Sequence, residues 1–314
     1  MKVLESNQLN IYQEKWESRS SIRTRPRKFI DFTQSGYFFP EDKQPILLDK
    51  HVINLGEKIK KDILLQSFYK YLSDIINLES KLIISACNKL IHGDLIVKYT
   101  DATVLNSHTI IIDEYYHIYV ARDMMLQLDK EFSGVQKCDY SVSDAYNAVE
   151  VITKKLDVKY HDIFEIIAVC IFETTLVREL VEFFNAEDVH PSIKYYVNDH
   201  MNDEARHYGF FFDLLRYTWV QLPPEYQKNI GELIADFVKL YLNINSEKAF
   251  NFGILLRLFP NQNIADQIIK ELYKGFGINT EIPIVKNVLN VLSKSTLLDN
   301  EYVKRGFQDI GWSI

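Results

Sequence analysis

The sequence predicts an all-α protein, and three observations lead to that fold class. Glycine and proline are scarce, with 11 and 8 in 314 residues, and they lie mostly outside the stretches with helical periodicity. No alternation of apolar and polar residues with hairpin turns is sustained anywhere. The segment HDIFEIIAVCIFETTLVRELVEFF is apolar nearly all round, which is typical of a central, buried helix.

The hydrophobic periodicity predicts eight helices in chain order. Residues 93–101 and 131–140 lie between predicted helices and are interpreted as connections. No composition break sets a domain boundary after the first 45 residues. We therefore expect residues 46–314 to form a single domain. The predicted helices span residues 58–91, 102–130, 142–156, 160–186, 191–219, 224–244, 263–274 and 283–294.

The first 45 residues differ from the rest, and we expect residues 1–45 to form an extended N-terminal arm. The stretch SRSSIRTRPRKF concentrates five basic side chains in a short span. Such a run either binds an anion or lies over an acidic body, and base rates favour the second interpretation.

Composition excludes several classes of function. A net charge of −7 argues against nucleic-acid binding, and no apolar run has the length of a membrane span. The first 16 residues lack the apolar core of a signal peptide. Cys87, Cys138 and Cys170 lie far apart without metal-type spacing, which predicts reduced thiols in a cytoplasmic protein. Cys170 is interpreted as a packing residue.

A five-residue pattern, D-E-x-x-H, occurs twice within apolar helical surroundings. A Glu and a His three positions apart on a helix converge on one cation. The Asp can accept a hydrogen bond from an imidazole on its own helix or on the facing one, as an outer-sphere group. Two solvated helix faces remain the alternative. The two motifs consist of Asp113, Glu114 and His117, and of Asp203, Glu204 and His207. A third Glu-x-x-His, Glu187 to His190, precedes Pro191 at a helix end and is interpreted as a surface connection.

A lone acid precedes each motif by about one helix-turn-helix. Glu79 lies 35 residues before Glu114, and Glu173 lies 31 residues before Glu204. The order Glu, Glu-x-x-His, Glu, Glu-x-x-His is that of a di-metal site in a four-helix bundle of the ferritin-like type, with one crossover connection. Carboxylates and imidazoles without thiolates suit iron, with manganese as an alternative.

His200 adds a seventh candidate metal ligand. It lies four residues before Glu204 and seven before His207, on the same helix face. A capping or surface role near Pro191 is the alternative for this histidine.

The set Glu79, Glu114, His117, Glu173, His200, Glu204 and His207 resembles that of the p-aminobenzoate N-oxygenase (AurF-like) family of di-iron oxygenases. The additional His before the last motif distinguishes this family from other ferritin-like bundles. The resemblance implies an all-α, ferritin-like four-helix bundle with additional helices, two iron ions, and O2 as co-substrate through a peroxo-diferric intermediate. It implies a monooxygenase that oxidises the nitrogen of an aromatic or amino-acid-derived amine in secondary metabolism.

Because no flavin or nicotinamide fingerprint is present, electrons are expected from an external donor or reductase, or from the substrate. A homodimer is compatible with the sequence. The first rival is a di-iron oxidase acting on carbon or a radical-generating subunit, and the second is an iron-storage or iron-sensing bundle. Arg257 and Arg305 could each hold a substrate carboxylate, although ion pairing is the favoured interpretation for both.

Overall fold

Helices account for the regular structure of the computed structural model, which describes residues 6–140, 143–175 and 184–314. Apart from an isolated bridge between Tyr37 and Val189, no strand occurs in these ranges, so the predicted fold class is confirmed. The helices are α1 Ser6–Arg19, α2 Ser21–Thr24, α3 Lys50–Ile53, α4 Glu57–Leu78, α5 Ile84–His92, α6 Asp101–Glu131, α7 Asp144–Thr153, α8 Val158–Glu173, α9 Pro191–Gln221, α10 Pro224–Tyr241, α11 Asn245–Leu258, α12 Gln262–Leu272, α13 Pro283–Lys294 and α14 Glu301–Asp309. None of them is long and apolar enough to cross a lipid bilayer.

Four helical segments form the bundle: α4 continued by α5, then α6, α8 and α9, with α7 in the crossover. Local sequence signals set their boundaries. The Thr100 side chain accepts a hydrogen bond from the amide of Thr103 at the start of α6, and His190 with Pro191 begins α9. Such residues satisfy or remove amide donors that a helix start leaves unpaired. The part of the predicted helix 160–186 at residues 176–183 lies outside the described residues.

The predicted helix 58–91 is continuous but contains a π-helical turn at Glu79–Ile83, between α4 and α5. A π turn inserts one extra residue into the helix and is frequent at functional sites. Here it begins at the candidate ligand Glu79.

Two apolar cores enclose a polar layer along the bundle. Ile76 of α4, Val120 of α6 and Met201 of α9 belong to one core. Farther along, Ile83, Ile110 and Phe210 belong to the other. Five of the candidate ligands lie between these two sets on their helices: Glu79, Glu114, His117, Glu204 and His207. Because the surrounding side chains exclude water, charges in this layer are costly unless they are paired or bound to a cation.

Among the described residues, five helices are absent from the sequence-based expectation: the single-turn helices α2 and α3, and the longer helices α1, α11 and α14. Helix α1 corrects the interpretation of residues 1–45 as an extended arm. Its sequence, SNQLNIYQEKWESR, is mostly polar, so the periodicity that identifies a core helix is weak. Tertiary contacts with α6 and α9 support it instead, as is usual for protein helices. Helix α11 contains Gly253 and two Asn residues, which are poor helix formers.

The basic part of the N-terminal segment pairs with acids of the bundle. Arg25 and Lys28 both contact Asp199 of α9, and Arg27 lies 2.5 Å from Asp123 of α6. These contacts agree with the interpretation of a basic segment lying over an acidic body.

Candidate metal centre

The structure brings all seven candidate ligands together in two adjoining groups within the polar layer. Every side chain in both groups is buried. Within each group, one oxygen or nitrogen from each residue lies within 4.8 Å of the others, and Glu204 belongs to both. The first group is Glu79, His117, His200 and Glu204, and the second is Glu114, Glu173, Glu204 and His207.

The two motif glutamates span the groups. Glu204 places Oε1 3.0 Å from His200 Nε2 and Oε2 3.3 Å from His207 Nδ1. Glu114 places Oε2 3.1 Å from His117 Nδ1 and Oε1 3.1 Å from His207 Nδ1. A carboxylate that directs one oxygen to each of two groups can bridge two cations. Glu79 and Glu173 each belong to one group only.

The motif histidines are held by aspartates of the facing helix. His117 Nε2 lies 3.1 Å from Asp203 Oδ2, and His207 Nε2 lies 3.4 Å from Asp113 Oδ2. Each Asp therefore acts across the α6–α9 contact rather than along its own helix. A hydrogen bond at Nε2 fixes the tautomer that leaves Nδ1 free to coordinate. Asp113 and Asp203 thus lie outside the two candidate ligand groups, each beside a motif histidine of the facing helix.

Arg206 ties the two aspartates together. Its Nη2 lies 3.0 Å from Asp113 Oδ2 and 2.5 Å from Asp203 Oδ1. The N-terminal segment supplies further donors: Trp16 Nε1 and Ser20 Oγ donate to Asp113 at 2.8 and 2.6 Å. The amide of Ser21 donates to Asp203 at 3.1 Å. The polar layer is therefore closed on one side by residues that precede the bundle.

Burial and neighbouring charges together shift the pKa values of the ionisable side chains in this layer. Burial, followed by repulsion from Glu114, raises the pKa of Glu79. Burial opposes ionisation of Glu204 as well, but attraction by His207 and hydrogen bonding with His200 lower its pKa. Burial disfavours a charged His117, yet its bonds to Asp203 and Glu114 raise its pKa to about 10. Strong mutual shifts of this kind are common at functional sites.

Several buried atoms in the layer have no hydrogen-bond partner, although nearly all such atoms in proteins have one. Among the described residues they include Glu79 Oε2, Glu114 Oε1, Glu173 Oε2 and His207 Nδ1. All four are acceptors or can be, and they belong to the two adjoining ligand groups. A pair of divalent or trivalent cations would satisfy them, so the donor set fits a di-metal centre with oxygen and nitrogen ligands.

An apolar cavity of about 220 Å³ opens beside the candidate ligands. A second cavity, of about 490 Å³, shares Tyr71, Asp74, Leu78 and Phe172 with it. These four residues therefore form the boundary between an outer space and the candidate metal centre. The inner wall is otherwise formed by Ile75, Ile83 and Met201, beside Glu79, Glu173, His200 and Glu204.

The weaker candidates from the sequence lie elsewhere. Arg257 donates to Cys138 Sγ at 2.7 Å, and Arg305 lies 3.7 Å from Glu232 at the surface. Neither lines the inner cavity. His190 is buried rather than on a surface connection, because it caps α9 and stacks on Phe38. Cys170 is fully buried and the three cysteines are free thiols.

Sequence reasoning missed the wall residues and the N-terminal donors. Tyr71, Asp74, Ile75 and Leu78 precede Glu79 on one helix, so projecting the face of α4 around Glu79 would have found part of this wall. Nothing local in the sequence indicates that Trp16 and Ser20 reach Asp113, because more than 90 residues separate them.

Comparison with known proteins agrees with this geometry. No curated protein matches the chain. A family model described as P-aminobenzoate N-oxygenase AurF matches residues 12–268, which include all seven candidate ligands and the N-terminal donors. The match covers most of the chain, and the chain therefore belongs to the p-aminobenzoate N-oxygenase (AurF) family of di-iron oxidoreductases.

Proposed function

We propose that the seven buried side chains bind two iron ions and that the protein uses O2 to oxidise the nitrogen of a small aromatic or amino-acid-derived amine. The observation that carries the proposal is the pair of ligand groups sharing Glu204, placed beside an apolar cavity. Manganese could occupy the same donors, because availability as well as affinity decides which metal is bound.

The candidate ligands can be assigned to two iron positions. Glu79, His117 and His200 would hold one iron and Glu173 and His207 the other, with Glu114 and Glu204 between them. When bound, the irons supply the activation of O2. Asp203 and Asp113 keep the Nε2 proton of His117 and His207, so that Nδ1 of both rings faces the metals. Outer-sphere bonds of this type orient and strengthen metal ligands.

The inner cavity provides the place for the amine. Tyr71, Leu78, Ile83, Phe172 and Met201 surround it with mainly apolar surface. Such a wall excludes water from reactive groups and can pack against an aromatic ring. A volume of about 220 Å³ suits a single-ring substrate better than a larger one.

The stoichiometry of the proposed amine oxidation determines how many electrons the protein must receive. Insertion of one oxygen atom into an N–H bond gives a hydroxylamine, while the second oxygen atom leaves as water. That balance requires two electrons and two protons for each O2 consumed. The described residues hold no flavin or nicotinamide motif, so an external one-electron carrier or reductase is the proposed source.

The carbon-oxidising rival uses the same kind of centre and is separated only by the substrate. The storage or sensing rival is disfavoured by the burial of all seven side chains, each no more than 7% exposed. Storage requires that iron enter and leave readily, whereas the cavity walls here are apolar.

The test is a turnover assay with iron-loaded protein, O2 and a chemical reductant. The panel contains p-aminobenzoate, aniline and aromatic amino-acid amines, together with matched hydrocarbons and aldehydes. We expect N-oxygenated products with one 18O atom from 18O2 per hydroxylamine. The Glu114→Ala variant should bind little iron and give none. Products confined to the hydrocarbon or aldehyde arm would replace the proposal by the carbon-oxidising one.

A further inference from the structure

A chain of hydrogen bonds leads from the protein surface to a candidate metal ligand, through residues that the ligand set itself does not require. Trp16 Nε1 donates to Asp113 Oδ1 at 2.8 Å, and Asp113 Oδ2 lies 3.4 Å from His207 Nε2. His207 Nδ1 faces Glu114 and Glu204 within the second ligand group. An indole ring is thus connected to the centre by one carboxylate and one imidazole.

The contact between Trp16 and the centre is tight. Trp16, Asp113, Arg206 and His207 line the same cleft, whose volume is only about 10 Å³. That is the smallest space in which a water molecule can be accommodated. The aromatic ring is therefore packed against the outer side of the centre and is not separated from it by solvent.

The outer edge of Trp16 reaches the surface. Its side chain is half-buried, its neighbours Lys15, Glu17 and Arg19 are exposed, and the Arg23 guanidinium lies 5.4 Å from its ring. A protein that docks on this face of α1 would contact the indole or residues adjoining it.

Among the residues that the structure describes, no equivalent connection leads to the other motif histidine. His117 is bonded to Asp203, which accepts from Arg206 and from the amide of Ser21. Those partners are not aromatic. Asp203 holds the His117 imidazole without an indole partner. Holding an imidazole therefore does not by itself require the tryptophan that contacts Asp113.

We propose that Trp16 is the electron-entry residue, which conducts electrons from a docked one-electron carrier protein of the iron–sulfur or flavin class to the metal centre through Asp113 and His207. In each step the reduced carrier loses one electron and one ferric ion becomes ferrous. No bond in the relay forms or breaks, and the indole proton stays between Nε1 and Asp113. Two such steps reduce the centre. The proposal rests on the di-iron function proposed above.

The contact itself can be tested without metal or turnover. In metal-free protein labelled with 15N at the indole nitrogens, Asp113→Asn should shift the Nε1–H resonance of Trp16 and leave those of Trp219 and Trp312 in place. An unmoved Trp16 signal would contradict the hydrogen bond on which the relay depends.

Electron transfer can be tested with a donor attached to the protein. Arg19→Cys in a Cys138→Ser background leaves only the buried Cys87 and Cys170 beside the new thiol, which can carry a ruthenium–bipyridine label. A flash with a reductive quencher then delivers one electron to the ferric centre. We expect Trp16→Phe to slow this reduction at least ten-fold and Trp312→Phe to leave it unchanged.

Small-molecule reductants distinguish electron transfer through Trp16 from a purely structural role of this residue. Dithionite with methyl viologen should reduce the parent and the Trp16→Phe variant at the same rate, with equal iron content. Equal slowing with both donors would overturn the relay and leave Trp16 as a packing residue. Unchanged label-driven reduction in the variant would overturn it as well. Failure of amine oxidation with a normal, Trp16-dependent reduction would instead count against the proposed substrate chemistry only.

Discussion

His117 of α6 is bonded through Nε2 to Asp203 of α9, at 3.1 Å, and not to Asp113 one turn before it on its own helix. The same exchange holds for His207 and Asp113. The aspartate of each D-E-x-x-H motif therefore holds the histidine of the other motif. Since neither imidazole is bonded to the aspartate of its own motif, these outer hydrogen bonds form only when α6 and α9 are packed together.

The first prediction concerns Asp203. Replacing Asp203 by Asn removes the charged acceptor of the His117 Nε2 proton, so the imidazole becomes a weaker and less well oriented ligand. We expect metal affinity to fall by about 10–100-fold, measured by competition with a chromophoric chelator. Asp123→Asn is the matched control, because Asp123 lies on α6 but pairs with Arg27. Equal affinities of parent and Asp203→Asn would show that the crossed bond does not tune the ligand.

A second prediction concerns Arg206, whose side chain is 9% exposed and pairs with both aspartates. Arg206→Met leaves two buried carboxylates without this cation. Breaking a buried ion pair from one side costs about 3–5 kcal/mol, so the free energy of unfolding of the metal-free protein should fall by roughly that amount. Urea unfolding measures the change.

Arg305→Met serves as the control for the loss of Arg206, because Arg305 pairs with Glu232 at an exposed position and exposed pairs contribute at most about 1 kcal/mol. A comparable loss in both variants would contradict the role given to Arg206.

The sequence predicted the bundle, and it predicted seven candidate ligands that the structure brings together, because both depend on spacing along single helices. Glu114 with His117, and His200 with Glu204 and His207, lie on one helix face by the geometry of the α-helix alone. Helix α1 and the contribution of Phe172 to the cavity boundary could not be predicted in this way. Trp16 meets Asp113 only through tertiary packing, and the connection of the two cavities depends on how α4 and α8 are placed.

The π turn at Glu79–Ile83 shows a further limit. Periodicity predicts a helix through residues 58–91 and cannot distinguish an α turn from a π turn, because one inserted residue shifts the pattern by only part of a turn. The π turn alters only this part of the helix, but it begins at the candidate ligand Glu79.

A third prediction concerns proton release on metal loading. In the metal-free protein the pKa of His117 is raised to about 10 and that of His200 to about 9, so both imidazoles are protonated at pH 7.5. Metal ligation requires neutral imidazole, and loading should release about two protons from these rings. The apparent affinity should therefore rise with pH up to these pKa values. Calorimetry at pH 7.5 in buffers of different ionisation enthalpy measures the release, and a buffer-independent heat would contradict it.

His200 is the subject of the fourth prediction, because it separates the seven-ligand centre from an ordinary six-ligand bundle. Its Nε2 lies 3.2 Å from Glu79 and 3.0 Å from Glu204, whereas its Nδ1 has no hydrogen-bond partner. We expect His200→Ala to keep the fold and close to two irons per chain. Only one of the two Mössbauer iron signals should change, since only the first ligand group contains His200. An unaltered spectrum would remove His200 from the ligands.

The fifth prediction concerns Asp74, which lies at the boundary shared by the two cavities. It pairs with Lys70 at 2.6 Å, which lines the second cavity, and we expect the amine to pass this boundary on its way into the inner cavity. Asp74→Asn removes a negative charge from this boundary and leaves Lys70 available to an anionic group.

The ratio of kcat/KM for p-aminobenzoate to that for aniline should therefore rise, by about ten-fold if the change in charge contributes roughly 1.4 kcal/mol. Lys70→Met should change the ratio in the opposite direction, because it leaves Asp74 to repel the carboxylate of p-aminobenzoate. Iron content should remain the same in both variants, since neither residue belongs to a ligand group. Ratios that move together, or not at all, would place the substrate's carboxylate away from this boundary and require another route into the inner cavity.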